Sequence, residues 1–327
     1  MTRSNSQSQN EAPAIERRLF LIGAAAAAAS ATAWGQKPDP AKLKRMSMMT
    51  GNFGSLLKRA GGPDDPNRTL DILDLPGMIA ERFGVHNVEF QHTNFASTEP
   101  EFLAEVRNRF KKANSQMSQI NLEFGDLNIS APTLVRRLET IDLTKQWIDH
   151  AVAVGCPRVM VNPGSIAPEF KPAAIETLKV ITAYAKTKKI FITMENRGQS
   201  SSRSNPPGMV TPRAPRGGQP PSGPLKPVYM APWEVIVEVA KAAGAYANPD
   251  WGHFPDDEAR TEGLAVMYRM TAGSSHCRLT PERYDSAKCL KIARDAGYKG
   301  LFSIEGGGSA DPYKSVQAIV DFMVANM

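Results

Sequence analysis

The sequence predicts an α/β protein that folds as a single-domain (β/α)₈ barrel, the TIM barrel architecture, with one long loop after the fifth strand. After residue 35, short β-rich runs alternate with amphipathic helical patterns, which is typical of a parallel sheet. Eight such units fit in about 290 residues, an ordinary size for this barrel. The alternative is a doubly wound open sheet. It is disfavoured because the first strand-helix turn, residues 51–54, lacks the GxGxxG fingerprint and the chain has no P-loop.

Each predicted strand is followed by a helical segment. The strands cover residues 45–49, 86–91, 118–124, 158–162, 190–195, 245–250, 274–279 and 300–305. The plainest helices cover residues 101–113, 143–154, 172–188, 232–243, 282–296 and 312–325. Gly155, Gly244 and Gly297 stand where helices should end. Asp311 and Pro312 form an N-cap and first-turn pair that opens the last helix.

The first 35 residues have the layout of a cleavable export signal. Arg17 and Arg18 precede an Ala-rich apolar stretch that runs to small residues around Ala33. This segment resembles a twin-arginine signal peptide with cleavage near Ala33, which implies a periplasmic or otherwise exported protein. The apolar run is weaker than the roughly 20 strongly apolar residues of a membrane span, so we expect no stable span after cleavage. The alternative is an exposed amphipathic or disordered N-terminus.

The barrel is expected to span residues 36–327, interrupted by a Pro-, Gly- and Arg-rich insertion at residues 197–230. A structureless segment of this length in a compact domain is usually functional or disordered. Because it follows a barrel strand, it belongs on the catalytic face, where it can fold over the mouth as a lid. The alternative is an insertion without a role in turnover.

The positive charge lies outside the barrel. The net charge is +6, of which residues 1–35 carry +1 and residues 197–230 carry +5, so the barrel itself is neutral. A neutral barrel argues against nucleic acid as a partner. If the insertion is a lid, its charge favours an acidic group or an oxyanion in the substrate. Three cysteines without a CxxC pair also exclude a disulfide framework.

Four potential metal ligands stand at the ends of the last four predicted strands: Glu195, Asp250, His276 and Glu305. The carboxyl ends of barrel strands converge on the mouth, so we expect these side chains to meet. Three carboxylates and one imidazole suit Mn²⁺ or Mg²⁺, with Co²⁺ or Zn²⁺ as alternatives. Taken singly, each carboxylate can equally cap a helix or anchor a loop, and a lone histidine can satisfy a local hydrogen bond. The specific signal is the run of four at equivalent positions.

These strand ends resemble those of the xylose isomerase-like barrels, which include sugar phosphate isomerases/epimerases, ketose 3-epimerases, inosose-processing enzymes and endonuclease IV. The resemblance covers roughly residues 43–327 and is most specific from Glu195 onward. In the ketose 3-epimerase branch, metal ligands in the order Glu, Asp, His, Glu end strands five to eight. The resemblance therefore implies that Glu195, Asp250, His276 and Glu305 are the ligands here.

The same resemblance implies a substrate contact at His253, three residues after the Asp ligand. An Arg is expected six residues after the His ligand, but position 282 is Glu. Arg278 and Arg283 are nearby and out of register, and Arg278 is our candidate for a substrate contact.

Other residues near the predicted mouth are candidates for substrate contacts. Trp251 can stack on a sugar ring, with packing against the barrel top as the alternative. His92 and Asn162, near the second and fourth strand ends, can contact hydroxyl groups.

The ligand set predicts proton abstraction next to a carbonyl. A bound divalent ion polarises the carbonyl and stabilises an ene-diolate. Glu195 and Glu305 lie on strands separated by two others, so one can remove the proton while the other returns it. The expected function is a metal-dependent isomerase or epimerase of a non-phosphorylated sugar or sugar derivative.

Three other functions stay open. The first is a lyase or dehydratase that performs β-elimination on a 3-keto-glycoside or keto-cyclitol. The second is a non-catalytic sugar-binding barrel, and the third is an endonuclease IV-like phosphodiesterase. The expected partner is a small carbohydrate, and self-association into a homo-oligomer is left open.

Overall fold

The computed structural model describes residues 39–59, 65–197, 209–210, 228–306 and 310–327. The chain divides into two units, residues 1–39 and residues 40–327, and the barrel belongs to the second unit. The predicted export signal and most of the 197–230 insertion, with its predicted lid role, lie outside the described residues. Among the helices that the structure describes, none has the length and apolar character to span a membrane.

The described chain alternates strands and helices. The strands are β1 (Met46–Met49), β2 (Asn87–Gln91), β3 (Gln116–Asn121), β4 (Arg158–Met160), β5 (Phe191–Glu195), β6 (Met209–Val210), β7 (Val228–Tyr229), β8 (Tyr246–Asn248), β9 (Ser274–Cys277) and β10 (Leu301–Ile304). The helices are α1 (Pro40–Leu43), α2 (Leu75–Phe83), α3 (Pro100–Lys112), α4 (Leu134–Val154), α5 (Lys171–Thr187), α6 (Trp233–Ala243), α7 (Asp257–Met267), α8 (Ser286–Asp295) and α9 (Pro312–Asn326). Short 3₁₀ helices cover Thr50–Phe53, His92–Asn94 and Pro168–Phe170.

Eight parallel strands form the barrel sheet in the order β8-β5-β4-β3-β2-β1-β10-β9. The two outer strands of this order meet through a parallel bridge between Asp250 and His276. At this bridge the His276 N–H donates to the Pro249 carbonyl over 2.8 Å. The prediction of a (β/α)₈ barrel in a single domain is therefore confirmed.

Side chains alternate along each strand, as a pleated backbone requires. In β2, Val88 and Phe90 are buried against the helical layer, where Phe90 contacts the Phe110 ring of α3. Glu89 between them faces the barrel interior and is also fully buried. Other buried side chains of the interior are polar as well. The Ser47 and Ser118 hydroxyls lie 2.7 Å apart, within hydrogen-bond distance. Such groups must be hydrogen-bonded to each other to be stable there.

Helix ends follow local signals in the sequence. α4 and α6 are followed by Gly155 and Gly244 at φ 80° and 70°, a left-handed conformation in which glycine carries no Cβ penalty. The Asp311 side chain accepts from the Lys314 N–H, which confirms the predicted start of the last helix.

The predicted start of the 143–154 helix was wrong, since α4 begins at Leu134. The first turns of α4 expose Leu134, Val135 and Leu138. Apolar residues on the solvent side break the amphipathic pattern that marks a helix in a sequence. The predicted strand at 118–124 likewise ends earlier, at Asn121, which leaves Glu123 in the following loop.

Within the insertion, the structure describes its two base segments. β6 pairs antiparallel with β7, with Met209 opposite Tyr229 and Val210 opposite Val228. Just beyond β7, the Ala231 N–H donates to the Ser165 carbonyl over 3.0 Å. The C-terminal end of the insertion is thus fixed to the loop that follows β4.

Candidate metal centre and active site

A cavity of about 410 Å³ opens at the carboxyl ends of the barrel strands. Glu195, His276 and Glu305 line it together with His253 and Arg278. The topology places them there because each belongs to a strand end or to the loop that follows one.

The four residues predicted as metal ligands form one cluster at the wall of this cavity, which three of them line while Asp250 lies buried behind them. One ligand atom from each of Glu195, Asp250, His276 and Glu305 lies within 4.8 Å of all the others. Glu195, Asp250 and His276 are buried, whereas the Glu305 side chain keeps 25% of its surface exposed. This cluster can hold a metal ion.

The donor set fits a divalent cation. His276 Nδ1 faces the carboxylates, at 2.5 Å from Glu195 Oε1, 3.9 Å from Asp250 Oδ2 and 3.8 Å from Glu305 Oε2. An ion bound at about 2.0–2.2 Å from each donor needs its donors roughly 3–4 Å apart, so small side-chain adjustments suffice. Three oxygens and one imidazole nitrogen are suited to hard or borderline ions.

Two cationic groups already neutralise part of the negative charge. Burial disfavours the charged imidazole of His276, but attraction by Glu89 and Glu195 raises its pKa well above the usual value. Arg278 Nη2 lies 2.7 Å from Glu305 Oε2 and 3.1 Å from Asp250 Oδ2. The cluster therefore attracts positive charge, as a cation site must.

The two glutamates of the cluster have opposite pKa shifts. Burial opposes ionisation of Glu195, but the attraction and hydrogen bond of His276, together with Arg197, hold its pKa well below the usual range. Burial raises the pKa of Glu305 to about 7, against the opposing attraction of Arg278. Glu195 is thus a permanent carboxylate near neutral pH, while Glu305 can exchange a proton there.

Two buried asparagines brace the strand ends that carry ligands. The Asn196 Oδ1 accepts from the Asp250 N–H over 2.8 Å, and its Nδ2 donates to the carbonyls of Asp250 and His253. Asn52 acts in the same way around Glu305, since it donates to the Ile304 carbonyl and accepts from the Gly306 N–H. Both amides hydrogen-bond to the backbone next to a candidate ligand, and so help to fix these segments.

Sequence reasoning missed Glu89. Its Oε1 lies 2.6 Å from His276 Nε2 and accepts from the Asn121 amide over 2.6 Å. Glu89 lies in the middle of β2, away from the strand ends that the sequence analysis searched. The available signal was a carboxylate between two apolar residues, Val88 and Phe90, in a strand that is buried on both faces.

An ion pair at the mouth was also missed. Arg197 binds both carboxylate oxygens of Glu123, with Nη1 2.9 Å from Oε2, and its Nε donates to Glu195 Oε2 over 3.1 Å. Glu123 follows β3 and Arg197 follows β5, so the pair spans β4. The Asn162 amide donates to Glu123 over 3.2 Å. Asn162, predicted as a hydroxyl contact, therefore holds this carboxylate.

The remaining predicted site residues divide into two groups. His253 and Arg278 face the cavity, with His253 Nε2 3.4 Å from Asp250 Oδ2. Trp251 lies in the core at 1% exposure, where its Nε1 donates to the Tyr268 hydroxyl, so the structure favours the packing alternative. His92 is not among the residues that line the cavity. Its Nδ1 accepts from the Glu123 N–H, and its ring packs on Trp147.

Comparisons with known proteins identify the fold. No family model matches the sequence, and no curated protein matches it. Among the solved structures that match, a xylose isomerase domain protein from Planctomyces limnophilus is 15% identical with a TM-score of 0.56, over 89% of this chain and 97% of that chain. A D-allulose 3-epimerase from Methylomonas sp. is 12% identical with a TM-score of 0.61, over 87% and 98%.

A 3-keto-D-glucoside 4-epimerase from E. coli is 13% identical with a TM-score of 0.58, over 85% of this chain and 99% of that chain. Identities this low establish a shared fold. The chain therefore has the (β/α)₈ barrel fold of these xylose isomerase-like isomerases and epimerases.

Proposed function

We propose that the protein is a divalent-metal-dependent sugar isomerase or epimerase that moves a proton on the carbon next to a carbonyl. The observation that carries this proposal is the cluster of Glu195, Asp250, His276 and Glu305 in a cavity at the barrel mouth, with two glutamates of opposite pKa shift. The bound ion, Mn²⁺ or Mg²⁺ by the donor set, supplies Lewis acidity toward the substrate carbonyl. Co²⁺ and Zn²⁺ are the alternatives.

Glu305 is the proposed proton-transfer group. In the site without a metal ion, burial raises its pKa to about 7, so this carboxyl group can hold and release a proton near neutral pH. Its partly exposed carboxylate faces the cavity. An isomerase can use this one base on a single face of the substrate.

An epimerase needs a second group on the opposite face. Glu195 is that group in our proposal, because it lines the same cavity from β5. For epimerisation, the ionised Glu195 removes the proton from one face, and Glu305 in its protonated form delivers its proton to the other face. Exchange of protons with solvent then returns both groups to their starting states. Arg197 donates to Glu195 Oε2 and His276 Nδ1 lies 2.5 Å from Glu195 Oε1, so the orientation of this carboxylate is fixed.

An uncharged substrate fits the charges of the described cavity. Arg197 is paired with Glu123 and Glu195, and Arg278 is paired with Asp250 and Glu305. Both guanidinium groups therefore have carboxylate partners within the site. With the proposed export, this pairing favours free or oxidised sugars, glycosides or cyclitols over phosphorylated sugars.

A lyase that cleaves or dehydrates a 3-keto sugar is the second candidate. β-Elimination needs an acid for the leaving group besides the base at carbon. His253 lines the cavity, and its Nε2 accepts from Arg278 Nη2 over 3.3 Å, so the proton of a neutral ring is on Nδ1 and that N–H is the group that can serve as the acid. The barrel shared with a 3-keto-D-glucoside 4-epimerase is compatible with substrates of this kind.

Two direct assays distinguish the candidates. The Mn²⁺-loaded protein is incubated in D₂O with free ketoses and with 3-keto-glucosides, and products are followed by NMR and mass spectrometry. Deuterium incorporation with a new epimer or isomer supports the first proposal, and loss of the aglycone or of water supports the lyase. No incorporation and no product with either substrate class, in protein shown to contain metal, contradicts both and favours a sugar-binding barrel.

A phosphodiesterase is disfavoured by the site itself. Such an activity requires a multi-metal cluster with further histidine ligands, and the cluster found among the described residues contains one histidine, His276. Cleavage of DNA at abasic sites by the purified protein would instead support the phosphodiesterase hypothesis.

A further inference from the structure

Glu89 is a fully buried carboxylate inside the barrel. Its Oε1 is close to three donors, the His276 ring, the Asn121 amide and the Gln119 amide, at 2.6, 2.6 and 3.3 Å. Among the ion pairs of the described residues, its one partner is His276, and no lysine or arginine joins it. Among the described residues, no donor meets hydrogen-bond geometry at its Oε2, although the Ser303 hydroxyl is close enough to help lower the pKa of Glu89.

This arrangement is costly for folding alone. A buried ionised carboxylate requires several favourable contacts, and each acceptor left without a donor adds roughly 1–3 kcal/mol. A glutamine of the same size would fill the space and still accept from Asn121. The charge of Glu89 therefore calls for a cationic or strongly polarised partner, and His276 is the group in that position.

His276 is held from both sides. Nδ1 faces the ligand carboxylates, 2.5 Å from Glu195 Oε1, while Nε2 faces Glu89. An ionised carboxylate only accepts hydrogen bonds, and both ring nitrogens of His276 face one, so both carry a proton in the metal-free protein. When a metal ion takes the place of the proton at Nδ1, the remaining proton must be on Nε2, where Glu89 accepts it. The Nδ1 lone pair then points at the position between the carboxylates. The backbone of His276 is fixed as well, by its pairing with Pro249 and Trp251.

We propose that Glu89 is a positioning residue of the metal centre, which keeps the proton of His276 on Nε2 and directs the Nδ1 lone pair toward the metal position. The inference rests on the metal site proposed above. Hydrogen-bonded carboxylates behind metal-binding histidines fix the tautomer and raise ligand basicity, and their loss typically lowers metal affinity about 10–100-fold.

The test compares Glu89→Gln with the unmodified protein. Glutamine keeps the size of the side chain but removes its charge and can donate as well as accept. Mn²⁺ affinity is measured by calorimetry on metal-free protein, and the His276 tautomer is measured by ¹⁵N NMR of histidine rings in Mg²⁺-loaded protein. We expect Glu89→Gln to bind Mn²⁺ about 10–100-fold more weakly and to lose the pure Nε2–H tautomer.

Two further variants separate positioning from simple structural damage. Glu89→Asp keeps the charge with a shorter reach, and we expect it to restore part of the affinity and the Nε2–H tautomer. Ser47→Ala is the control. It removes a buried hydroxyl of the barrel interior that is hydrogen-bonded to Ser118 and lies outside the ligand cluster, so it should leave the Mn²⁺ affinity unchanged. If Glu89→Gln fails to fold, Glu89→Asp carries the test through its smaller loss of affinity.

The outcomes separate the two proposals. A folded Glu89→Gln variant with normal Mn²⁺ affinity and an unchanged tautomer would overturn the role of Glu89 and leave the metal-dependent function intact. An unmodified protein that binds neither Mn²⁺ nor Mg²⁺ would overturn both.

Discussion

Asp250 and His276 close the barrel. They form the bridge between the segment after β8 and strand β9, and their side chains are two of the four candidate metal ligands. The seam of the barrel and the candidate metal site are therefore built from the same residues. Whatever binds the side chains also fixes the two strand ends.

Metal binding is therefore expected to stabilise the barrel at this seam. Mn²⁺ at 100 times its dissociation constant adds about 2.7 kcal/mol to the free energy of unfolding. For a domain of this size that raises the melting temperature by roughly 5–10 °C. Hydrogen exchange should slow at the amides of His276 and Trp251, which donate across the seam. A melting temperature that is the same in Mn²⁺ and in EDTA would contradict this prediction.

Replacing Glu305 with glutamine should abolish proton transfer and keep the fold. The variant loses the one carboxyl of the cluster whose pKa lies near 7. We expect turnover and deuterium incorporation from D₂O to fall about 10²–10⁴-fold. The matched control is Glu282→Gln, at an exposed glutamate in the loop between β9 and α8, which should keep full activity. Unchanged deuterium exchange in Glu305→Gln would falsify its role.

The metal-free protein should lose stability as the pH rises above neutrality. The pKa of His276 is raised well above its ordinary 6.5, so its contribution is fully present below pH 6.5 and is lost as the pH rises through the raised value. The pKa of Glu305 is raised from 4.5 to about 7, so its ionisation also lowers the stability of the folded protein as the pH rises between these two values. Glu89 and Glu195 have lowered pKa values, so their contribution is lost only as the pH falls below about 4.5.

Urea unfolding in EDTA at pH 6 and pH 8 measures this effect. We expect a lower free energy of unfolding at pH 8, and a smaller difference when Mn²⁺ is present, because the ion then replaces the proton on His276. A metal-free protein that is equally or more stable at pH 8 would show that these groups do not titrate as assigned.

Truncating Asn196 should loosen Asp250. Asn196 is buried and satisfies the backbone N–H and carbonyl of Asp250. Asn196→Ala leaves these groups without partners, at a cost of about 1–3 kcal/mol for each buried group. We expect lower stability in urea together with weaker Mn²⁺ binding. Asn67→Ala, at an exposed asparagine, is the control and should change neither.

Export is tested by changing the paired arginines. If residues 1–35 act as a twin-arginine signal, a variant with Arg17→Lys and Arg18→Lys should accumulate in the cytoplasm as an unprocessed chain. The unchanged protein should be periplasmic and shortened near Ala33. Cell fractionation and mass spectrometry of the N-terminus measure both, and equal distribution of the two proteins would reject the signal.

The sequence was most informative where local pattern and topology agree. Asp311 and Gly155 mark helix ends through their own side-chain and backbone chemistry, and the structure confirms both. Glu195 and Glu305 follow apolar strands, and strand ends of one barrel must converge. The sequence alone therefore predicts that these two glutamates lie close to His276.

The sequence was least informative about side chains within strands and loops. Trp251 and His253 are two residues apart, yet one lies in the core and the other faces the cavity. After a strand ends, the period of two no longer applies, so local sequence does not decide which way a side chain points.

By itself, the sequence determined the alternation of strands and helices and the candidate metal ligands at the strand ends, because these depend on short-range periodicity and on one topological rule. Only the tertiary structure decided that Glu89 contacts His276 and that Glu123 contacts Arg197. Both faces of a barrel strand are buried, so the pattern around Glu89 does not say which face is the interior. These pairs join strands that are not neighbours: Glu89 on β2 meets His276 on β9 across the barrel interior, and Glu123 after β3 meets Arg197 after β5 across the end of β4.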